Sequence, residues 1–278
     1  MGIKLVVSDV DGTLVNDACK ADQAFWALAD EIKKRNIPFS LASGRPAGQT
    51  EELAKELHIQ LPRIVSNGAG IYENGRFLFA KWIPGKAIAH AIKKADELGL
   101  AVYLNDGIEE GIYRDIPYTE RKRNINSLPT PLIHPETEAD FAALRLQKLM
   151  VIDPQKEGRV DEILPLLDTS LQPLEIVRYD SRCFEAMPKG CGKETGIQHL
   201  CEILGIQMEE VLAIGNHQND IGMLNCAGVG AAVAGAVPAL KKTADYVCHN
   251  DTAGGVLEAI RTFYETVQPE TLQGMQSS

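Results

Sequence analysis

Short apolar runs of strand length alternate with helical patterns at both ends of the chain. The runs at 3–8, 38–42 and 63–66 read as strands, and the apolar spacing over 22–35 and 46–57 reads as helices between them. The rhythm returns late, with a helix over 193–204, a strand at 211–214, a helix near 219–226 and strands at 229–233 and 245–247. Strand and helix in repeated alternation predict βα units around a parallel sheet. The middle breaks this rhythm. There "GIYENGRFLFAKWI" predicts a hairpin with "ENG" at its turn. A helix follows over 84–98, and strands at 101–104, 146–152 and 174–177 mix with helices near 139 and over 158–167. The expected fold is α/β, a Rossmann-like doubly wound parallel core in two segments, 1–83 and 187–278, around an inserted α+β domain at 84–186. The polar end, 267–278, is expected to fray.

Composition narrows the class. The 278 residues, 45% of them hydrophobic, can fill one large core or two ordinary ones. With 28 Lys and Arg against 38 Asp and Glu the net charge is −10, and no long run carries one sign. A nucleic-acid polymer, which needs a clustered basic face, is excluded as a partner. An anionic substrate would need local positive charge or a metal. The six cysteines contain no CxxC pair and no zinc spacing, which predicts reduced thiols and a cytoplasmic protein. Asp9 interrupts the first apolar run before a signal-peptide core forms, and Val6 stands where a myristoylation motif needs Ser or Thr. No apolar stretch approaches the roughly 18 residues of a membrane helix, so no membrane partner is expected.

Four loops carry candidate chemistry. "KLVVSDVDGT" ends the first strand in Asp9 and Asp11, which an extended chain would turn to one face. Two like charges there call for a divalent cation or a shared proton, though a solvated Asp-Gly turn is the other reading. It is not an EF-hand, because Gly12 comes too early and Lys20 occupies the place of the closing Glu. "FSLASGRP" ends the second strand in Ser43, Gly44 and Arg45 ahead of a helix, an anion seat or an ordinary helix cap. "MPKGCGKETG" offers Lys189 and Lys193, either of which can meet a phosphate as a point charge or lie in solvent. "VLAIGNHQNDIGML" ends another strand with Asn216, Asn219 and Asp220, where Asn219 also suits a helix cap. "GVG" at 228–230 is not a dinucleotide fingerprint, since Val233 replaces the third glycine.

Carboxylate pair, hydroxyl, lysine and carboxylate, in that order on four loops, resemble the haloacid dehalogenase superfamily of phosphatases, and specifically the Cof-type group with a type IIB cap. "DVDGT", "SGR", "PKGCGK" and "GNHQND" match its four motifs in order, and "SNGAGIY", "ADYV" and "NDTAGGV" support the match over essentially the whole length. The resemblance implies Mg²⁺-dependent hydrolysis of a small phosphomonoester, such as a sugar phosphate, a nucleotide or a phosphorylated cofactor. Asp9 would be the nucleophile that forms an aspartyl-phosphate, and Asp11 the general acid and base. Ser43, Gly44, Lys193 and Asn219 would hold the phosphoryl group, Asp9, Asp11, Asn216 and Asp220 the metal, and Arg45 and Asn67 would border the substrate pocket. The insertion would be the cap that selects substrate, with Asn105, Asp106, Arg114, Arg121, Arg123 and Arg182 as candidate lining. The chain departs from the family at Asn216, where the usual residue is a metal-binding Asp, so weaker metal binding is expected. A phosphomutase acting on a sugar phosphate and a non-catalytic sensor of a phosphorylated ligand are the alternatives.

Overall fold

A computed structural model describes residues 2–16, 21–126 and 130–264, so the expected fraying of 267–278 and the state of Cys19 lie outside the described residues. The chain divides into two compact units. One is built from the residues up to Ser43, from Glu51–Ile64 and from Gly192 onward, and the other from Gly44–Thr50 and Val65–Cys191.

The first unit is a five-stranded parallel sheet in the order Tyr246–Val247, Val229–Ala232, Val211–Gly215, Leu5–Ser8, Phe39–Leu41. The two central strands are apolar up to their carboxyl ends because a doubly wound sheet covers both faces: Leu5, Val6, Val7, Leu212, Ala213 and Ile214 are fully buried. From Leu5–Ser8 the chain moves to Phe39–Leu41 on one side, and later returns at Val211–Gly215 on the other. The strand order therefore reverses between Leu5–Ser8 and Val211–Gly215, the place where open α/β sheets bind ligands beyond the strands' carboxyl ends. Helix Gln23–Arg35 packs against Thr252–Phe263, and Lys193–Leu204 packs against Ile221–Cys226. Their ends are defined by local chemistry. Asp22 Oδ1 accepts from Phe25 N at 2.9 Å at the start of the first helix, and Asn36, with φ 48°, closes it in the left-handed region.

The second unit holds an antiparallel sheet in the order Leu174–Asp180, Cys183–Pro188, Lys148–Ile152, Ala101–Asn105, Glu110–Ile112. One face carries Val102, Leu104, Leu149, Val151, Phe184 and Ala186 into a core shared with Ala87, Ile88, Ala91, Ile92 and Ala95 of helix Gly85–Glu97. The predicted hairpin is Gly70–Glu73 with Arg76–Ala80, and its turn residues Asn74 (φ 47°) and Gly75 (φ 85°) both take the left-handed conformation that an Asn-Gly pair favours.

Three expectations are corrected. The helix predicted over 158–167 is two 3₁₀ turns, Arg159–Glu162 and Leu164–Leu166. Asp153 captures the N–H groups of Gln155, Glu157 and Arg159, and Pro165 has no N–H to give, so an α-helix cannot propagate there. The strand expected over 146–152 is split. Arg145–Leu146 pairs with Ile83–Pro84 while Lys148–Ile152 joins the main sheet. Cys183–Pro188, which the sequence reading passed over, is a buried strand pairing on both sides.

Candidate active site

The carboxyl ends of the two central strands carry Asp9 and Asn216. Strand Leu5–Ser8 stops at Ser8, and Asp9 N continues the ladder by donating to Ile214 O at 2.9 Å. The chain then curls: Thr13, Leu14 and Val15 all donate N–H to the carbonyl of Val10. The strand alternation invoked for Asp9 and Asp11 thus ends before it reaches them. Asp9 is only 4% exposed, whereas Asp11 is exposed. Gly12 sits in this curl at φ +79°, and a Cβ there would lie 2.0 Å from Asn216 Nδ2. A side chain there would be strained by the conformation and would have to push the Asn216 amide aside.

Lys193, the first residue of helix Lys193–Leu204, is the centre of the arrangement. Its ammonium donates to Asp9 Oδ1 at 2.5 Å and to Asp220 Oδ1 at 2.6 Å, and the side chain is 1% exposed. The second oxygen of each carboxylate is also held. Asp9 Oδ2 accepts from Thr13 Oγ1 at 2.9 Å, and Asp220 Oδ2 accepts the backbone N–H groups of Asn216 and His217, each at 2.9 Å. Asp220 reaches those amides because Gly215 leaves room, its missing Cβ falling 2.5 Å from Asp220 Cβ. Burial pushes the Asp9 carboxyl up, Lys193 pulls it back, Asp220 adds to the rise, and the outcome is about 6. Burial pulls the Lys193 ammonium down, but the two carboxylates and their hydrogen bonds outweigh it and hold the amine charged.

Of the other expected residues, Ser43 is buried in the same unit, two positions past strand Phe39–Leu41, with its N–H on Ile64 O at 2.9 Å. Asn219 is exposed within the 3₁₀ turn Gln218–Asp220. Gly44, Arg45 and Asn67 belong to the second unit. There Arg45 O accepts from Ser66 N at 2.9 Å, and the Asn67 amide lies against Gly44, whose Cβ would be 3.2 Å from Asn67 Oδ1. Among the candidates for lining the cap, Asn105 is buried and accepts from Gly107 N, Asp106 closes a turn over Ile108 and Glu109, Arg114 pairs with Asp96, and Arg182 pairs with Asp180. Arg121 is exposed, and the Arg123 side chain lies outside the described residues. Thr13 was missed as a participant although it stands inside "DVDGT"; a hydroxyl four residues after a carboxylate across a glycine was the available signal.

A metal fits this donor set. Asn216 Oδ1 is buried and accepts no hydrogen bond among the described residues, an orphaned oxygen on the residue whose backbone N–H bonds Asp220. Oxygen donors of this kind suit a hard divalent cation. Among the described residues no group of three or more His, Cys, Asp or Glu side chains gathers to hold an ion, and Lys193 bridges Asp9 and Asp220.

A model of haloacid dehalogenase-like hydrolases matches residues 6–260. The chain belongs to that family. A putative phosphatase of Streptococcus pyogenes serotype M6, M6_Spy0533, is 26% identical over 283 residues, covering 94% of this chain and 98% of that protein. The solved structure of a haloacid dehalogenase-like hydrolase from Bacteroides thetaiotaomicron superposes with a TM-score of 0.80 at 26% identity, covering 94% of this chain and all of that one. The subclass IIB sugar phosphatase BT4131 superposes with a TM-score of 0.72 at 21% identity, covering 94% and 98% of the two chains. The resemblance to the haloacid dehalogenase superfamily is borne out, as is the doubly wound α/β core, and the family match with its putative-phosphatase relative supports a phosphatase enzyme. No helix among the described residues is long and apolar enough to cross a membrane.

Proposed function

We propose that this haloacid dehalogenase-like protein is a cytoplasmic, Mg²⁺-dependent phosphatase of small phosphomonoesters that works through an aspartyl-phosphate. The observation that carries the reading is the buried Asp9–Lys193–Asp220 bridge at the strand-order reversal, an anion-ready charge beside a carboxylate fixed by Thr13. In this reading Asp9 attacks phosphorus as the ester oxygen leaves, and Asp11 gives that oxygen its proton. Asp11 then takes a proton from the water that cleaves the acyl-phosphate, releasing inorganic phosphate and the free Asp9 carboxylate. Ser43, Gly44 and Lys193 hold the phosphoryl oxygens, and Asn219 positions the phosphate or Lys193. Asp9, the carbonyl of Asp11, Asn216 and Asp220 would hold Mg²⁺, which when bound neutralises charge on the transferring group. Residues 84–186 serve as the substrate-selecting cap, with Arg45 and Asn67 at the pocket.

The test is phosphate release from p-nitrophenyl phosphate and a panel of phosphomonoesters across a Mg²⁺ titration, with Asp9→Asn as control. Turnover that needs both Asp9 and Mg²⁺ is expected. Tight ligand binding with no turnover, unchanged by Asp9→Asn, would replace this reading with the sensor. Transfer between sugar phosphates without phosphate accumulation would replace it with the mutase.

A further inference from the structure

The second unit carries a cavity of about 460 Å³ lined by Lys81, Trp82, Gln172, Pro173 and Lys189, none of which has a place in the chemistry above. That volume is within the roughly 300–1,000 Å³ typical of small-molecule sites. Its walls are tied together through backbone. Lys81 Nζ donates to the carbonyls of Lys189 and Gly190 at 3.4 and 3.2 Å, and Lys189 N donates to Pro173 O at 2.8 Å. The Trp82 ring is set edge-on against Phe77, centroids 5.3 Å apart at 85°, and Phe77 is set in turn against Tyr72 at 5.1 Å. This ladder of rings fixes the indole orientation before any ligand arrives.

The charge on this cavity is out of keeping with the chain. Acidic residues outnumber basic ones by 38 to 28, yet neither Lys81 nor Lys189 is paired with a carboxylate among the described residues. Two lysines and a tryptophan line one cavity whose lining includes no Asp or Glu, which leaves the counter-charge to a ligand. A purely polar anion would leave the indole face unused, and a neutral ring would leave both lysines unused. We propose that this cavity binds a planar organic anion, a heteroaromatic ring bearing phosphate or carboxylate, with the ring on Trp82 and the negative group between the Lys81 and Lys189 ammonium groups. Gln172, whose Nε2 donates to Pro173 O at 3.3 Å, keeps its Oε1 available to accept from the ligand ring.

The inference stands apart from the role given to Asp9. The chain has two tryptophans, so Trp26→Phe in the full-length protein leaves Trp82 as the sole reporter. Adenosine 5′-monophosphate is titrated against it in EDTA, followed by tryptophan fluorescence, with adenosine and inorganic phosphate as half-probes. Saturable quenching is expected, with each half-probe and each of Lys81→Met and Lys189→Met weaker by about tenfold or more. Lys81→Arg is expected to retain binding, and Asp9→Asn to bind as the parent does; unchanged thermal midpoints keep the comparison on folded protein. No saturable quenching up to about 10 mM, or parental affinity in both methionine variants, overturns the proposal. Binding lost in Asp9→Asn but kept in the lysine variants assigns the nucleotide to the Asp9 centre and overturns it equally.

Discussion

Replacing Lys193 with methionine keeps an unbranched side chain of similar reach in the site and removes its charge. The consequence follows from what surrounds it. Asp9 is 4% exposed, Asp220 is fully buried, and both lose the ammonium that stood 2.5 and 2.6 Å away. Removing one partner of a buried ion pair costs about 3–5 kcal/mol, because the charge left behind has neither water nor counter-ion. For a chain of this size that is on the order of 10 °C in the thermal midpoint. The loss should also depend on pH, with a definite sign. In the parent the folded-state Asp9 already titrates near 6, above its usual 3.8. Its contribution to stability is therefore fully present below 3.8 and is lost as pH rises through about 6. Without Lys193 the carboxyl holds its proton to still higher pH, and the loss extends upward. Urea unfolding of Lys193→Met against the parent, in EDTA at about pH 5 and about pH 8, should give the larger deficit at the higher pH. Adding Asp220→Asn should recover part of it by removing the facing charge. A deficit below about 1 kcal/mol at the higher pH, or one that does not change with pH, would refute the view that this lysine compensates two buried carboxylates.

Gly12→Ala should cost about 2 kcal/mol, through the φ of +79° and the collision with Asn216, and Asn216→Ala in the same chain should relieve about half; a double-mutant cycle by urea unfolding measures the coupling. Thr13→Val removes the bond to Asp9 Oδ2 at 2.9 Å, and is expected to cost about 1 kcal/mol of stability and to lower kcat with KM little changed, which a purely structural hydroxyl would not do. Asn216→Asp puts a further carboxylate beside Asp9 and Asp220, so the EDTA-treated protein should lose about 1–2 kcal/mol while the Mg²⁺ concentration for half-maximal phosphate release falls. In the second unit, burial raises the Asp153 carboxyl but its bonds to Arg159 and three backbone N–H groups prevail and bring it to about 2 from 3.8. Its contribution is present above 3.8 and lost as pH falls toward 2, so the parent's advantage over Asp153→Asn should grow to about 1 kcal/mol as pH rises across that interval, after discounting for solvent screening through the partly exposed Arg159.

What was legible in the sequence is what local pattern encodes. Apolar runs ending in Asp9, Ser43 and Asn216 placed those residues at strand ends, because strand length and turn chemistry are properties of a few consecutive residues. The bond from Lys193 to Asp9 spans 184 positions, and only the ordered motifs of a known family suggested the meeting. Periodicity gave no warning that Asp153 would draw three N–H groups away from a helix, or that 183–188 was a strand and not merely the approach to "PKGCGK".

Asn216 gains a physical meaning from the completed geometry. Two buried carboxylates already share one ammonium, so the centre at rest carries a net negative charge that burial resists, as the raised Asp9 carboxyl attests. An aspartate at 216 would set three carboxylates against one lysine, at a cost that a bound cation would offset. The amide keeps a buried, unpartnered oxygen at 216 without that charge. It lowers the electrostatic cost of the metal-free state and, if 216 is a metal ligand as proposed, would lower the attraction for a divalent ion by the same amount of charge. In the proposed site, stability without metal and affinity for metal are thus set against each other at one side chain, and an amide there would favour the former.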